Sequence, residues 1–170
     1  MDLEIRRLQQ TDPVADFDCG DQKLNDYLQR HAWTNQQKNM IGVTYVCIDG
    51  GEPKILGYYT LAASSVVREL LPAELTGGLP RYHSLPVVLL ARLAVRIESQ
   101  GSGLGKKLLG HAFMSVLELS MWMGCRFLIV DAYASAEKWY MKYGFIAIEG
   151  AAPSQTRLMF LDVKTLQATV

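Results

Sequence analysis

Leu90-Ala91-Arg92-Leu93-Ala94-Val95 is followed, after residues 96–99, by Gln100-Gly101-Ser102-Gly103-Leu104-Gly105-Lys106-Lys107 and a long apolar run, and this order decides the fold. The hexapeptide closes a nearly continuous apolar stretch over 87–95, the pattern of a central strand covered on both faces. Downstream, Leu108, Leu109, Ala112, Phe113, Val116 and Leu119 recur at helical spacing and predict a helix over 104–123, stopped by Gly124. A helix opened by a glycine-rich turn presents N–H groups that have no intrahelical partner and carry partial positive charge, which suits a phosphate. The glycines let the backbone approach such an anion closely.

Two familiar phosphate loops do not fit. A Walker A loop closes on Gly-Lys-Ser/Thr, and here Lys107 stands where a hydroxyl should bind magnesium. A dinucleotide fingerprint needs Gly-x-Gly-x-x-Gly tight against its strand, whereas this loop reads Gly-x-Gly-x-Gly and is set apart from Val95 by four residues. What remains is Gln-x-x-Gly-x-Gly at Gln100, Gly103 and Gly105. Taken alone it is either an anion site or a glycine-rich turn without a ligand.

The rest of the chain reads as alternating elements. A strand is expected over 3–8 and an amphipathic helix over 21–38, with Leu24, Tyr27, Leu28, His31 and Asn35 on one face. Runs over 43–48 and 55–63, joined by Asp49-Gly50-Gly51, predict an antiparallel hairpin. Pro72, Gly77, Gly78, Pro80 and Pro86 favour a short helix and a loop over 71–85. After the long helix come a strand over 126–131, a helix over 134–143 closed by Gly144, and strands over 145–148 and 157–161.

Composition narrows the class. The chain has 170 residues, 49% of them hydrophobic, enough for one ordinary core and too few for two domains, so a single domain over 1–170 is expected. No apolar run reaches the roughly 20 residues of a membrane span, and Glu4, Arg6 and Arg7 stand where a secretory signal would be apolar, so a cytoplasmic location without membrane contact is expected. Cys19, Cys47 and Cys125 form neither a close pair nor a metal-ligand spacing, and no metal is expected. Net charge is zero. Its distribution is uneven, however: residues 54–107 hold seven basic and three acidic side chains. Arg68, Arg81 and Arg92 in that segment are candidates for an anionic group or for a solvated face.

Asp131-Ala132 ends a strand and leads into Ala136-Glu137-Lys138-Trp139-Tyr140-Met141-Lys142-Tyr143-Gly144-Phe145. Together with the phosphate-type loop, this segment and the order of elements resemble the GNAT N-acetyltransferases along nearly the whole chain. That resemblance implies an α/β fold with a central mixed sheet flanked by helices, and acetyl-CoA as co-substrate. It implies that Gln100, Gly101, Ser102, Gly103, Leu104, Gly105 and Lys106 hold the CoA pyrophosphate, that backbone groups of Leu93 and Val95 hold the pantetheine arm, and that Tyr140 protonates the departing thiolate. Judged by its neighbours alone, Tyr140 reads as a core aromatic. Tyr133 departs from the pattern, because many members carry an asparagine there for the pantetheine arm.

Phe17-Asp18-Cys19-Gly20 ahead of Leu24, Tyr27 and Leu28, then Thr44-Tyr45-Val46, then Leu56-Gly57-Tyr58-Tyr59-Thr60-Leu61, resemble one subgroup of that family: the acetyltransferase toxins of type II toxin–antitoxin systems. The subgroup implies acetylation of the α-amino group of aminoacyl-tRNA, a block of translation, a ribbon-helix-helix antitoxin and a homodimer. A free α-amino group has a pKa near 8, lowered by esterification of the carboxylate, so such a nucleophile needs no strong base. The sequence offers none beyond isolated Glu69, Glu74, Glu98, His31 and His83. Arg92 interrupts an apolar strand and should meet an anion, an internal carboxylate or solvent at a cleft; with Arg30, Lys38 and Arg81 it forms the candidate RNA-contacting set. Two other functions fit the same residues: an acetyltransferase of a small-molecule or protein amine, and a non-enzymatic CoA-binding protein.

Overall fold

The computed structural model describes residues 3–149 and 155–168. Its strands are β1 Leu3–Arg7, β2 Val43–Asp49, β3 Glu52–Val67, β4 Ser84–Val95, β5 Phe127–Tyr133, β6 Ile146–Ala147 and β7 Thr156–Asp162. They form one seven-stranded mixed sheet in the order β1-β2-β3-β4-β5-β7-β6. The chain divides into two compact units, one of the described residues up to Ala62 with Leu90–Ser115, the other of Ala63–Leu89 with the described residues from Val116 onward.

In the first unit the expected hairpin forms, with Tyr45 opposite Tyr59 and Val46 opposite Tyr58, and β1 adds antiparallel to β2. Strand alternation sends Val46 and Tyr58 to one face, where they join Leu8, Phe17, Tyr27, Leu28, Ala32, Ile55 and Ala94 in a core cluster. Tyr45 and Tyr59 turn to the other face, where α4 (Leu104–Trp122) places His111. Gly57 is required by this arrangement: a Cβ there would stand 2.8 Å from Leu108 Cδ1 and 2.9 Å from the Ala94 carbonyl oxygen. Cys47 is buried, Cys19 and Cys125 are half-buried, and all three are free thiols.

The helix expected over 21–38 starts as foreseen, with the Asp21 carboxylate accepting from the N–H groups of Lys23 and Leu24. It then departs from regularity. α1 (Gln22–Asp26) gives way to a π-helical turn over Tyr27–His31, α2 (Ala32–Thr34) and a second π turn over Asn35–Asn39. The Ala32 N–H reaches back five residues to the Tyr27 carbonyl, which inserts one residue into the turn and moves the inward face along by one. Ala32 and Gln36 are therefore buried, and His31, expected on that face, is exposed. Gln36 closes the end of the hairpin by donating to the Leu8 carbonyl at 3.0 Å and accepting from the Thr44 N–H at 3.0 Å.

In the second unit β5 pairs antiparallel with β7, and β7 with β6. Phe127, Ile129 and Phe160 pack with Val66, Leu71, Leu85, Val87 and Ile148. Each such side chain, fully buried, contributes about 1.5–3 kcal/mol relative to exposure. Arg126 makes a bidentate pair with Asp162 at 2.7 and 2.8 Å, and Asp162 also caps α6 (Val163–Gln167), a helix too short to leave a periodic signal. The proline-rich segment forms a 3-10 turn over Arg68–Leu70 and the short α3 (Ala73–Thr76), as expected, but β4 starts earlier than foreseen and takes in Pro86, which is exposed. α5 (Ala134–Met141) ends in a turn whose Gly144 has φ +91. Among the described residues no helix is long and apolar enough to cross a membrane.

Candidate active site

β4 delivers the chain into the loop through Arg96, which is only 5% exposed. Its guanidinium donates to the carbonyls of Ile55 (2.7 Å) and Asp16 (2.9 Å) and lies 3.3 Å from the Asp16 carboxylate. A 3-10 turn over Ile97–Ser99 follows, and Gly101 (φ +76) and Gly103 (φ +86) then turn the backbone through the left-handed region into α4. A Cβ at either glycine would meet nothing within 4 Å. Internal packing does not demand these glycines; the backbone conformation does, and it leaves that face of the loop open.

The N–H groups of residues 101–106 take part in none of the hydrogen bonds found among the described residues outside regular helix and strand ladders, and the first one used in the helix is that of Lys107, to the Gly103 carbonyl at 3.2 Å. Consecutive free amides at a helix start form a concentrated positive end, a fit for a diphosphate. Leu104 and Leu108 are buried and fix this end of α4 to the body, while Lys106 and Lys107 are exposed beside it. Ser102 Oγ donates to the Ser99 carbonyl at 2.6 Å and tightens the turn. The Gln100 side chain points inward instead of toward a ligand: its Nε2 donates to the carbonyls of Val95 and Cys19, each at 3.0 Å. Leu93 and Val95 are half-buried near the end of β4.

Arg92 is half-buried and meets no carboxylate among the described residues. Its guanidinium lies 3.5 Å over the centre of the Tyr27 ring, a cation–π contact that accounts for a charge in an apolar strand without a carboxylate. The other members of the basic set are spread out. Arg30 is exposed, 3.8 Å from Asp26, and Lys38 and Arg81 are exposed with no ion pair among the described residues. Arg68 is committed internally, donating to the carbonyls of Thr76, Leu79 and Pro80. Glu98 is paired with Lys54, and Glu69 lies 3.8 Å from His83 with both side chains exposed.

Tyr140 belongs to the second unit, on α5. Its ring meets Trp139 edge-on at 5.0 Å and Phe145 at 5.3 Å, and the residue is 6% exposed. No hydrogen bond among the described residues engages its hydroxyl, and burial pushes its pKa up to about 12. The result is a phenol that stays protonated at neutral pH with an uncommitted O–H. Tyr133, at the end of β5, is 39% exposed.

One polar group was not singled out from the sequence. The Tyr59 hydroxyl is 2.7 Å from His111 Nδ1 and 3.1 Å from Ser115 Oγ, and the Tyr45 ring stacks on Tyr59 at 4.9 Å. Burial lowers the His111 pKa, which favours the neutral ring. The available signal was His111 and Ser115, four apart and so on one face of α4.

Residues 41–147 match the acetyltransferase (GNAT) domain family. The tRNA-acetylating toxin of Mycobacterium tuberculosis (strain ATCC 25618 / H37Rv) is 32% identical over 95% of this chain and 94% of its own. Among solved structures, AtaT complexed with acetyl-methionyl-tRNAfMet is 32% identical with a TM-score of 0.87 over 99% of both chains. A tyrosine-to-phenylalanine mutant of the AtaT toxin, bound to the C-terminus of the antitoxin AtaR and acetyl-CoA, is 26% identical with a TM-score of 0.78 over 99% of this chain and 98% of that one.

Proposed function

The chain belongs to the GNAT acetyltransferase family, and on that premise we propose that it is the toxin of a type II toxin–antitoxin system, transferring acetyl from acetyl-CoA to the α-amino group of aminoacyl-tRNA and so blocking translation. The observation that carries the acetyl-CoA part is the run of free amides over 101–106 behind two glycines of positive φ. The tRNA part is supported by the 32% identity to a tRNA-acetylating toxin and to AtaT, along nearly the full length of each.

In this reading the loop Gln100 to Lys106 binds the CoA pyrophosphate through its amides, with Lys106 adding charge. Gln100 acts by holding the loop, and backbone groups of Leu93 and Val95 align the pantetheine arm. The substrate's neutral amine attacks the thioester carbonyl, the C–S bond breaks, and the sulfur leaves as a thiolate. Tyr140 supplies a proton to it. A thiol has a pKa near 8.5, so a phenol at about 12 is a weak acid by comparison, but it is fully loaded with its proton and placed out of bulk water. The amine's own excess proton leaves to solvent, and solvent returns a proton to the Tyr140 oxygen, restoring the phenol. Arg92, Arg30, Lys38 and Arg81 are assigned to the RNA backbone, Arg92 while stacked on Tyr27.

The whole of residues 1–170 acts as one GNAT domain, since the family match spans segments of both units. The partners that follow are a ribbon-helix-helix antitoxin and a second copy of the chain, in the cytoplasm where charged tRNA is found. The decisive experiment incubates the purified protein with labelled acetyl-CoA and total tRNA, either aminoacylated or deacylated, and follows label into RNA. Label confined to the charged sample is the expected result. Label in neither sample overturns the tRNA assignment in favour of a small-molecule or protein amine.

A further inference from the structure

A loop built to present its backbone needs something to hold it, and its own glycines pack against nothing within 4 Å at their Cβ positions. Among the described residues, and apart from bonds to the adjoining Val95, Arg96 and Lys107, positions 97–103 bond outside their own segment at few places. The Ile97 N–H donates to the Asp18 carbonyl at 3.0 Å, Gln100 Nε2 donates to the Cys19 carbonyl at 3.0 Å, and Glu98 pairs with Lys54 at the surface. Both backbone anchors belong to the same turn, far away in sequence. A Cβ on Gly20 of that turn would lie 3.7 Å from Ile97 Cδ1, so turn and loop are also in van der Waals contact.

That turn is itself organised by two side chains. Asp18 Oδ1 accepts from the Gly20 N–H at 2.9 Å and from Asn25 Nδ2 at 2.8 Å. Asn25 Oδ1 accepts from the Cys19 N–H at 2.9 Å and from the Cys19 thiol at 3.1 Å. Asn25 is 7% exposed, and both ends of its amide are engaged. Its position, one residue before the last of α1, ties the turn to the helix whose N-cap is Asp21. The two carbonyls that grip the loop, those of Asp18 and Cys19, are thus aimed by a single amide–carboxylate contact.

We propose that Asp18 and Asn25 are positioning residues for acetyl-CoA, holding the phosphate loop in its binding geometry through the backbone of Asp18 and Cys19 and the side chain of Gln100. This rests on the reading that the loop binds the CoA pyrophosphate, and it gives the stretch 17–20 a task. Neither residue touches the co-substrate. A loop released from this turn keeps its sequence but spends its amides over many orientations, so affinity falls while the chemistry does not change.

The test uses the full chain and CoA itself as calorimetric probe. Asn25→Asp preserves size but replaces the donor facing Asp18 with a second carboxylate, and should raise the CoA Kd at least tenfold, with the loss falling on the KM for acetyl-CoA more than on kcat. Asp18→Asn keeps a side-chain oxygen where the Gly20 N–H and Asn25 Nδ2 donate, and should bind CoA within about fivefold of the unaltered protein, whereas Asp18→Ala removes that acceptor and should raise Kd as Asn25→Asp does. The two Asp18 variants also keep the test alive if Asn25→Asp does not fold. A folded Asn25→Asp or Asp18→Ala variant with Kd within twofold of the original overturns the proposal, as does an Asp18→Asn variant that binds as poorly as Asp18→Ala. A general loss of structure would instead reduce the number of binding sites and the melting temperature at unchanged Kd. If the unaltered protein fails to bind CoA, the phosphate-loop reading itself falls, which separates the two failures.

Discussion

The loop over 100–106 and the helix around Tyr140 lie in different compact units and rely on opposite resources. The loop offers backbone: its amides are free, its two left-handed glycines have open space around them, and its one amide side chain is spent on bracing. The α5 site offers one side-chain atom, the Tyr140 hydroxyl, on a ring enclosed by Trp139 and Phe145 and pushed to a pKa of about 12 by that enclosure. Function made of backbone depends on conformation and is spread over several residues. Function made of a side chain is concentrated in one group and depends on its surroundings. Damage to the two should therefore show in different kinetic constants.

Tyr140→Phe should produce the largest effect, because it deletes the O–H proposed as proton donor and leaves the ring packing intact. A fall in kcat of about 10²–10⁴-fold is expected, the usual contribution of a positioned acid, with CoA affinity changed less than about threefold. Single-turnover acetyl transfer beside calorimetry with CoA checks both numbers. A parallel loss of CoA affinity would mean that Tyr140 is a packing residue of the binding site, and the contrast between the regions would collapse.

Gly103→Asp probes the other side. A non-glycine residue at φ +86 is strained, costing roughly 1–2 kcal/mol, and its carboxylate would stand next to the amides proposed to bind pyrophosphate. CoA affinity should drop by about 30-fold or more, with melting temperature lowered by the backbone strain alone, roughly 2–8 °C, since nothing lies within 4 Å to clash. Gly57→Ala should behave in the reverse manner. Its Cβ collides with Leu108 and the Ala94 carbonyl, so stability should fall by about 1–3 kcal/mol as read from denaturant unfolding.

These contrasts mark what the sequence could and could not disclose. Glycines at positive φ and a helix start are local properties, so the loop and its place between β4 and α4 were legible, as were the hairpin at Asp49-Gly50-Gly51 and the order of elements. Contacts between distant segments were not. Arg96 finds Asp16 across 80 positions, and Tyr59 finds His111 across 52, and no periodicity encodes such pairings. For Arg92 an apolar strand predicts an anion, an internal carboxylate or solvent at a cleft; the face of Tyr27, 65 positions away, is a partner that no local pattern encodes. The π turn at Tyr27–His31 misled the reading of the helix for a different reason, since one inserted residue preserves the apolar pattern but moves its phase.

Alkaline pH offers a gentler way to sharpen the comparison. Tyr140 is pushed from the ordinary phenol value of 10.0 to about 12 by burial, and Tyr58 and Tyr59 are pushed upward by the same cause. A raised phenol pKa means that the folded state holds its proton more tightly than the unfolded chain does. The associated stabilisation is complete below about pH 10 and is lost as pH rises through about 12. Melting temperature should therefore decline above pH 10, and less steeply in Tyr140→Phe. The loop amides do not titrate in this range.

The smallest effect is expected at Ser102→Ala, and its smallness is informative. Ser102 stands in the middle of the loop with its Oγ donating to the Ser99 carbonyl at 2.6 Å, and it is exposed. Replacing it with alanine removes one neutral hydrogen bond, worth about 0.5–1.5 kcal/mol net at most, and leaves every backbone amide in place. If the loop binds through its backbone, CoA affinity should weaken by no more than about threefold. A loss as large as that at Gly103→Asp would assign the hydroxyl a direct contact with the phosphates. The loop would then resemble the Tyr140 region, a site concentrated in one side chain, and the division of labour between the two regions would have to be redrawn.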